Sequence, residues 1–478
     1  MDMLIDGGWT PASNGAVDPV LNPANDDQIA TVPRAGAADV ARAVAAAQGG
    51  KDRMAAMPAW RRYEILETVA RRIEANQTEL GLLLCRENGK RIGETTSEVG
   101  VAARIFRGYA EEAKRIFGRS VPLDSIPGRE KSLALTMRQP LGVIAAIVPF
   151  NYPVELWSHK IAGGLAAGNA VITKTPEDCP LAVIEIARYL EEAGLPRGAH
   201  QLLTGGREVG EALVRAEGVQ MIAMTGSTAA GKRILEAAAS TLKKVHLELG
   251  GNDATIVCED ADVAATATAL VAGRFTSGNG QICCAVKRVL VHRSIYSKLL
   301  DAVAERTAKL KVGDPLDPST DVGPLINRRG AERVEAQVRQ AVADGATIVA
   351  GGERSGNFFQ PTILTGVQPG TPAFADETFG PVLPLIPYDD FDAALALAND
   401  SPFGLQAAIF TRDLGRVMHA YQVLDVGTVV VNHTTAVRVE TLPFGGNKGS
   451  GNGREGIHDT LHEMSKEKTL LMHEVFGL

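Results

Sequence analysis

The chain has 478 residues, 45% hydrophobic and 22% charged, a balance typical of globular proteins and a length sufficient for two or three domains. A net charge of −7 offers no basic patch for a nucleic-acid backbone, and no stretch is apolar for the ~20 residues that a bilayer span needs, so neither partner is expected. The five cysteines (Cys85, Cys179, Cys258, Cys283, Cys284) are odd in number and lack the spacing of a secreted framework. Met1 to Asp6 shows no basic-then-apolar leader, and the expectation is a reduced, cytoplasmic protein.

Residues 4–32 read as short strands and turns, broken by Gly7-Gly8 and Asn22-Pro23. Helical spacing then runs from Ala37 to about Gly118. One helix starts at Ala37, another at Pro58 with Tyr63, Ile65, Leu66, Val69 and Ile73 on one face, and Val101 to Phe117 continues the pattern. Pro122, Pro127 and Gly128 interrupt it before a strand pair. From 141 to 247, β-branched runs alternate with helical patterns, which predicts βαβ units and a parallel, doubly wound sheet. A second alternating block follows Gly250. Its strands are expected at 254–257, 288–291, 347–349, 383–386, 407–410 and 427–431, with helices at 296–310 and 330–344.

Several short stretches can carry chemistry. Gly280-Gln281-Ile282-Cys283-Cys284 is a glycine-rich turn that presents a thiol, and a thiolate attacks an electrophilic carbon once its surroundings help it ionise. Two adjacent cysteines are otherwise small buried hydrophobes. Glu248, between Leu247 and Leu249 at a strand end, is a candidate general base, or else an edge glutamate facing water. Asn151, flanked by Phe150 and Tyr152-Pro153, can donate to a developing oxyanion or simply build a turn. Gly226 to Gly231, between a strand and a helix, is placed for phosphate but lacks the GxGxxG spacing. His458 and His462 stand four apart without a third ligand, so no metal is expected.

Taken together, Pro149-Phe150-Asn151-Tyr152-Pro153, Leu247-Glu248-Leu249-Gly250-Gly251, the Cys283 turn, Glu377-Thr378-Phe379-Gly380-Pro381 and Pro443-Phe444-Gly445-Gly446 resemble the NAD(P)-dependent aldehyde dehydrogenase superfamily, in order and over nearly the whole chain. The resemblance implies an α/β fold: an NAD-binding domain (1–117 and 141–249), a catalytic domain (250–445) and an oligomerisation β-flap (118–140 and 460–478) that would build a homodimer or homotetramer. It implies NAD-dependent oxidation of an aldehyde to an acid through a thiohemiacetal and thioester on Cys283. Asn151 and the Cys283 N–H would hold the oxyanion, and Glu248 would activate water. Gly226, Ser227 and Gly231 would meet the pyrophosphate, Lys174 and Glu177 the adenosine ribose, and Glu377 and Phe379 the nicotinamide ribose and ring. A glutamate at 177 repels a 2′-phosphate, which favours NAD while leaving NADP possible. Glu455 resembles a residue that orders the deacylating water, with a solvated loop carboxylate as the alternative.

For the substrate, Arg104, Arg107, Trp157, His159, Ile282 and Thr435 to Arg438 are the pocket candidates. Arg104, His159 and Arg438 are the principal ones. Arg438 resembles the arginine of branches that act on small hydroxylated or anionic aldehydes, whereas Ile282 replaces the arginine that several of them carry before the nucleophile. Structural ion pairs are the alternative for both arginines. Gly278 departs from the family, which usually has Asn there; Asn279 follows it. A cofactor-independent thiol hydrolase and a non-catalytic structural protein of the same fold are the competing readings.

Overall fold

The computed structural model describes residues 1–474, and positions 475–478 of the expected flap lie outside the described residues. One seven-stranded sheet runs in the order Lys244–Glu248, Met221–Thr225, Val143–Ile147, Ala170–Lys174, His200–Leu203, Met3–Ile5, Gly8–Thr10. Its first five strands are parallel. Alternate residues feed opposite faces, as a pleated strand requires: Ile144 and Ala146 enter one core, Val143 and Ala145 the other. The chain leaves Val143–Ile147 to one side and later returns to add Met221–Thr225 on the other. The switch-point crevice therefore opens beyond Ile147 and Thr225, directly before Asn151 and Gly226.

The second sheet has the order Thr347–Ala350, Thr362–Thr365, Val382–Tyr388, Arg288–His292, Ala254–Val257, Gln406–Phe410, Thr428–Val431. It is parallel except for Thr347–Ala350. Gly251, Cys283 and Glu377 all precede strands of this sheet, so they gather at its amino ends, whereas Asn151 and Glu248 come from the carboxyl ends of the first. A third sheet joins Ser465–Met472, Leu133–Pro140 and Ser120–Val121. Among the described residues no helix is long and apolar enough to cross a membrane.

The structure departs from the sequence reading in several elements. The short strands expected within 4–32 include Met3–Ile5 and Gly8–Thr10, whose addition to the first sheet in antiparallel sense was not read from the sequence. The helix read from Val101 is Ile92–Ala113; its first turns are polar (Glu94-Thr95-Thr96-Ser97-Glu98), yet Thr95 and Glu98 are buried, which hides the apolar period. Strand Thr362–Thr365, bounded by Pro361 and Gly366, is not among the strands expected from the sequence. Helix Val263–Val271 is almost wholly alanine, threonine and valine, without a polar face, and starts at an Asp262 cap.

Helix Pro153–Ala166 follows Asn151 and is buried nearly all round, with proline at its start. Its amino end is held by a buried ion pair. The Glu98 carboxylate accepts from the N–H groups of Val154 (3.0 Å) and Glu155 (3.2 Å) and is paired with Lys90, whose ammonium also donates to the Asn151 carbonyl at 2.6 Å. Lys90→Met strands the Glu98 charge, a loss of about 3–5 kcal/mol, so the thermal-unfolding midpoint should fall. Lys90→Met with Glu98→Leu should recover only part of it, because the two N–H groups lose their acceptor. A midpoint unchanged in the single variant would show that the pair does not hold this corner.

Candidate active site

The Cys283 turn owes its shape to three successive left-handed residues: Gly278 (φ +54°), Asn279 (φ +52°) and Gly280 (φ +75°). Asparagine tolerates this region best among residues with a Cβ. The fully buried Asn279 also pins the turn. Its amide donates to the carbonyls of Gly89 (3.1 Å) and Pro324 (2.9 Å), and its Oδ1 accepts from Gly323 N–H (2.9 Å). The Gly-Asn order at 278–279 thus has a structural role of its own. Gln281 Oε1 accepts from Ile326 N–H at 3.1 Å.

Cys283 is half-buried and Cys284 buried. The neighbouring Cys284 thiol holds Cys283 below the ordinary thiol range; burial works against this, and Lys287 helps. The neighbouring Cys283 and burial push the Cys284 thiol well up.

Cys283, Asn151 and Arg438 line one cavity of about 520 Å³, with Arg91, Glu94, Arg104, Tyr152, Glu155, Ile282, Glu440 and Phe444. Asn151 is 7% exposed. Its neighbour Phe150 meets Phe379 edge-to-face, with ring centroids 5.8 Å apart. Glu248 is buried and is not among the residues that line this cavity. Its backbone is fixed where Gly226 N–H donates to its carbonyl (3.0 Å) and Leu249 N–H donates to Ser450 (2.9 Å). Neither carboxyl oxygen has a partner, and Oε1 lies 3.7 Å from His246 Nε2. Burial pushes the Glu248 carboxyl well above the usual carboxylate range, Glu455 adds to the rise, and Arg438 and Lys160 oppose it. A desolvated carboxylate of this kind is a strong base once ionised. Gly445 is glycine because a Cβ there would stand 2.3 Å from the Gly453 carbonyl oxygen, with Glu248 Oε1 next at 2.8 Å.

Glu455 is not a solvated loop carboxylate: it is 1% exposed. It accepts from Lys160 Nζ at 2.8 Å and Arg438 Nη2 at 2.7 Å. Burial raises its pKa, but these two cations outweigh that and hold it well below the ordinary range. Lys160 also donates to Thr225 Oγ1 at 2.7 Å, at the end of the strand before Gly226.

The residues read for a dinucleotide sit around the crevice. Ser227 caps helix Thr228–Ala239, accepting from Ala230 N–H at 3.3 Å. Gly231 lets that helix close on Leu249, whose methyl carbons lie 2.7 Å from where a Cβ would be. Lys174 ends its strand 7% exposed, and Glu177 stands 3.6 Å from its ammonium. Glu377 lies over Gly250, where a Cβ would meet its Oε2 at 2.2 Å. Arg274, Gln337 and Lys287 hold the loop from Glu377 to Phe379: Arg274 Nη2 donates to the Thr378 carbonyl (3.0 Å), Gln337 Nε2 to the Glu377 carbonyl (3.2 Å) and Lys287 to the Glu377 carboxylate. An exposed serine at a helix head in the switch-point crevice, a lysine at the next strand end and a carboxylate lying on glycine backbone fit a nicotinamide dinucleotide.

Of the substrate candidates, Arg104, Ile282 and Ala436 to Arg438 reach the cavity, whereas Arg107, Trp157, His159 and Thr435 do not. His159 is fully buried, 3.1 Å from the Tyr109 hydroxyl. Trp157 is fully buried and donates to Thr173 Oγ1. Both lie on a helix that is buried on every side, so position along it gave no direction. Arg107 turns to Glu74 (2.7 Å) and Glu67 (3.2 Å) on helix Ala59–Ala75. The sequence reading missed Arg91 and Glu94. Arg91 donates to the Thr276 carbonyl at 2.8 Å, and Glu94 accepts from the Tyr152 hydroxyl (2.5 Å) and Gly278 N–H (2.7 Å). No local pattern marks either. His458 and His462 are ring neighbours, and His458 bonds Glu112 at 2.9 Å; no cluster of metal-ligating side chains occurs among the described residues.

The model of the aldehyde dehydrogenase family matches residues 9–470. A 3-sulfolactaldehyde dehydrogenase of Priestia megaterium is 41% identical over 472 residues, 98% of either chain. A succinate-semialdehyde dehydrogenase (NADP+) of Escherichia coli is 38% identical over 464 residues, 95% of this chain and 94% of that one. Among solved structures, a betaine aldehyde dehydrogenase of Staphylococcus aureus in complex with NAD+ superposes with a TM-score of 0.96 at 31% identity, covering 100% of this chain and 96% of that one. A glyceraldehyde-3-phosphate dehydrogenase of Methanocaldococcus jannaschii complexed with NADP gives 0.91 at 36%, covering 95% and 98%. The chain belongs to the aldehyde dehydrogenase family and is an NAD(P)-dependent oxidoreductase acting on aldehydes.

Proposed function

We propose that this enzyme oxidises a short aldehyde with an anionic tail to the carboxylic acid, with Cys283 as nucleophile. The observation that carries the reading is the shared cavity: the Cys283 thiol and Asn151 face a space whose walls also hold Arg91, Arg104 and Arg438. The Cys283 thiolate attacks the aldehyde carbon. The oxygen of the tetrahedral adduct is held by the Asn151 amide and the Cys283 N–H, an arrangement that contributes roughly 3 kcal/mol per donor in comparable chemistry. Bound NAD(P) supplies the hydride acceptor. Glu248 takes a proton from water as the water attacks the resulting thioester, which releases the acid and restores the thiolate. The cofactor residues and the family make a cofactor-free thiol hydrolase or an inert structural protein unnecessary.

The tail is read by the arginines. Arg104 stands at the mouth, paired with Glu440 at 2.9 Å. Arg438 is deeper, shared between Glu455 and Glu155 (3.6 Å) and stacked 4.5 Å from the Phe444 ring centroid. Guanidinium forks suit carboxylate, phosphonate or sulfonate groups. The 41% identical relative named for a sulfonated aldehyde supports an anionic tail. On the cofactor side, Glu177 beside Lys174 matches the paired hydroxyls of an NAD ribose. The open edge of strand Ser465–Met472, with Met137, Leu470 and Leu471 exposed on its sheet, supports a homodimer or homotetramer built through the flap.

Three outcomes are expected. Cys283→Ala should abolish NAD-dependent oxidation in a spectrophotometric assay, and near-normal turnover would remove the covalent route. In a panel of short aldehydes, Arg104→Ala should raise KM about tenfold for anionic substrates and leave neutral ones unchanged. Equal efficiency with long alkyl aldehydes, in wild type and variant alike, would defeat the substrate reading. Glu177→Ser should increase kcat/KM with NADP relative to NAD; a wild type that already uses both equally would refute the role of Glu177.

A further inference from the structure

Lys287 is in none of the reaction steps above, yet it is among the most enclosed cations of the molecule, its side chain 1% exposed. It follows Cys283 by four residues and stands just ahead of strand Arg288–His292. Its ammonium donates to the Cys283 carbonyl (2.6 Å), the Gly251 carbonyl (2.6 Å) and Glu377 Oε1 (2.5 Å), which uses all three donors. Its Nζ also lies 5.8 Å from the Phe379 ring centroid. The segments it joins are in close contact: a Cβ on Gly251 would meet the Cys283 carbonyl oxygen at 2.7 Å, and Gly251 N–H donates to Glu377 Oε1 at 3.2 Å.

We propose that Lys287 is a positioning residue of the oxidation: it fixes the Cys283 main chain against the turn after Glu248, and the charge it shares with Glu377 couples the nucleophile to the carboxylate assigned to the nicotinamide ribose. The inference rests on the reading of Cys283 as nucleophile and Glu377 as ribose ligand. A staple for two carbonyls needs only a neutral donor; a buried ammonium is a larger commitment, because a desolvated charge must be matched. The buried Asp253 is within reach of the cation's field, and the carboxylate in contact is Glu377, 19% exposed, on the cofactor side of the site. When ribose hydroxyls share that carboxylate, it neutralises Lys287 less, and more of the cation's field reaches the thiol.

The charged and titratable groups around the thiol are Cys284 and Lys287 on its own loop, Glu377 and Arg438 from the second sheet's loops, and Glu248 and Asp253 from the end of the first sheet; across the cavity stand Arg91, Glu94, Glu98, Arg104, Glu155 and Glu440. Removing a cation from this set raises the thiol's proton affinity; removing an anion lowers it.

The test is alkylation of the cofactor-free enzyme by iodoacetamide across pH, followed on the Cys283 peptide by mass spectrometry. Lys287→Met should move the midpoint up by about one pH unit, and Glu377→Gln should move it down. Lys287→Arg, which keeps the charge but not the three-point contact, should hold the midpoint near wild type while kcat falls. Adding NAD should lower the wild-type midpoint and leave that of Lys287→Met in place. Midpoints of Lys287→Met and Glu377→Gln equal to wild type, or an equal NAD response in Lys287→Met, would overturn the coupling. If Lys287→Met does not fold, an unmoved midpoint in Glu377→Gln overturns it alone. Cys283→Ser separates the two levels: an inactive Cys283→Ser with insensitive midpoints sinks only the role of Lys287, whereas an active one sinks the nucleophile reading beneath it.

Discussion

Three enclosed ammonium groups hold this site together, each bound to a carboxylate and each touching a different part of the machinery. Lys90, 1% exposed, pairs with Glu98 and grips the carbonyl of Asn151. Lys160, fully buried, pairs with Glu455 and reaches the strand end before Gly226. Lys287 pairs with Glu377 and grips the carbonyl of Cys283. An ion pair out of water gains little over an apolar substitute, but breaking one leaves an unmatched charge that the interior does not tolerate. Such pairs are poor sources of stability and good sources of fixed geometry, because each partner must stay where its counter-charge is. Catalytic side chains on loops need that kind of restraint.

The two sheets meet end to end in a way that explains which residues could converge. The first sheet presents its carboxyl ends, with Asn151, Lys174, Gly226 and Glu248 just beyond or at the strand termini. The second presents its amino ends, with Gly251, Cys283 and Glu377 just before the strands. Backbone and side chain approach so closely at this seam that a Cβ has no room at Gly250, Gly251 or Gly445, where a carboxylate or carbonyl oxygen already stands. These glycines answer to the neighbours opposite rather than to turn geometry of their own.

What the sequence disclosed follows from this layout. The alternation of β-branched and helical runs from Leu141 to Leu247 announced the first sheet, because strands buried on both faces are almost purely apolar. Cys283, Glu248 and Asn151 stood out because each lies in a short run of unusual composition beside a strand end. The supporting residues had no such mark: Lys90, Lys160, Lys287, Arg91 and Glu94 are ordinary polar residues in helices and loops, and only the fold turns them inward. Arg104 and Arg107, three apart on one helix, show the limit most plainly. One reaches Glu440 at the cavity mouth and the other Glu67 and Glu74 on a neighbouring helix, and helical spacing alone does not separate them.

The nucleophile turn has a consequence for how such a site can diversify. Gly278, Asn279 and Gly280 are tied to their backbone angles and Gln281 to the Ile326 amide. Ile282 alone points an aliphatic side chain into the substrate space without any of these duties. Exchange of that one side chain would reshape the cavity beside the thiol while the loop keeps its path.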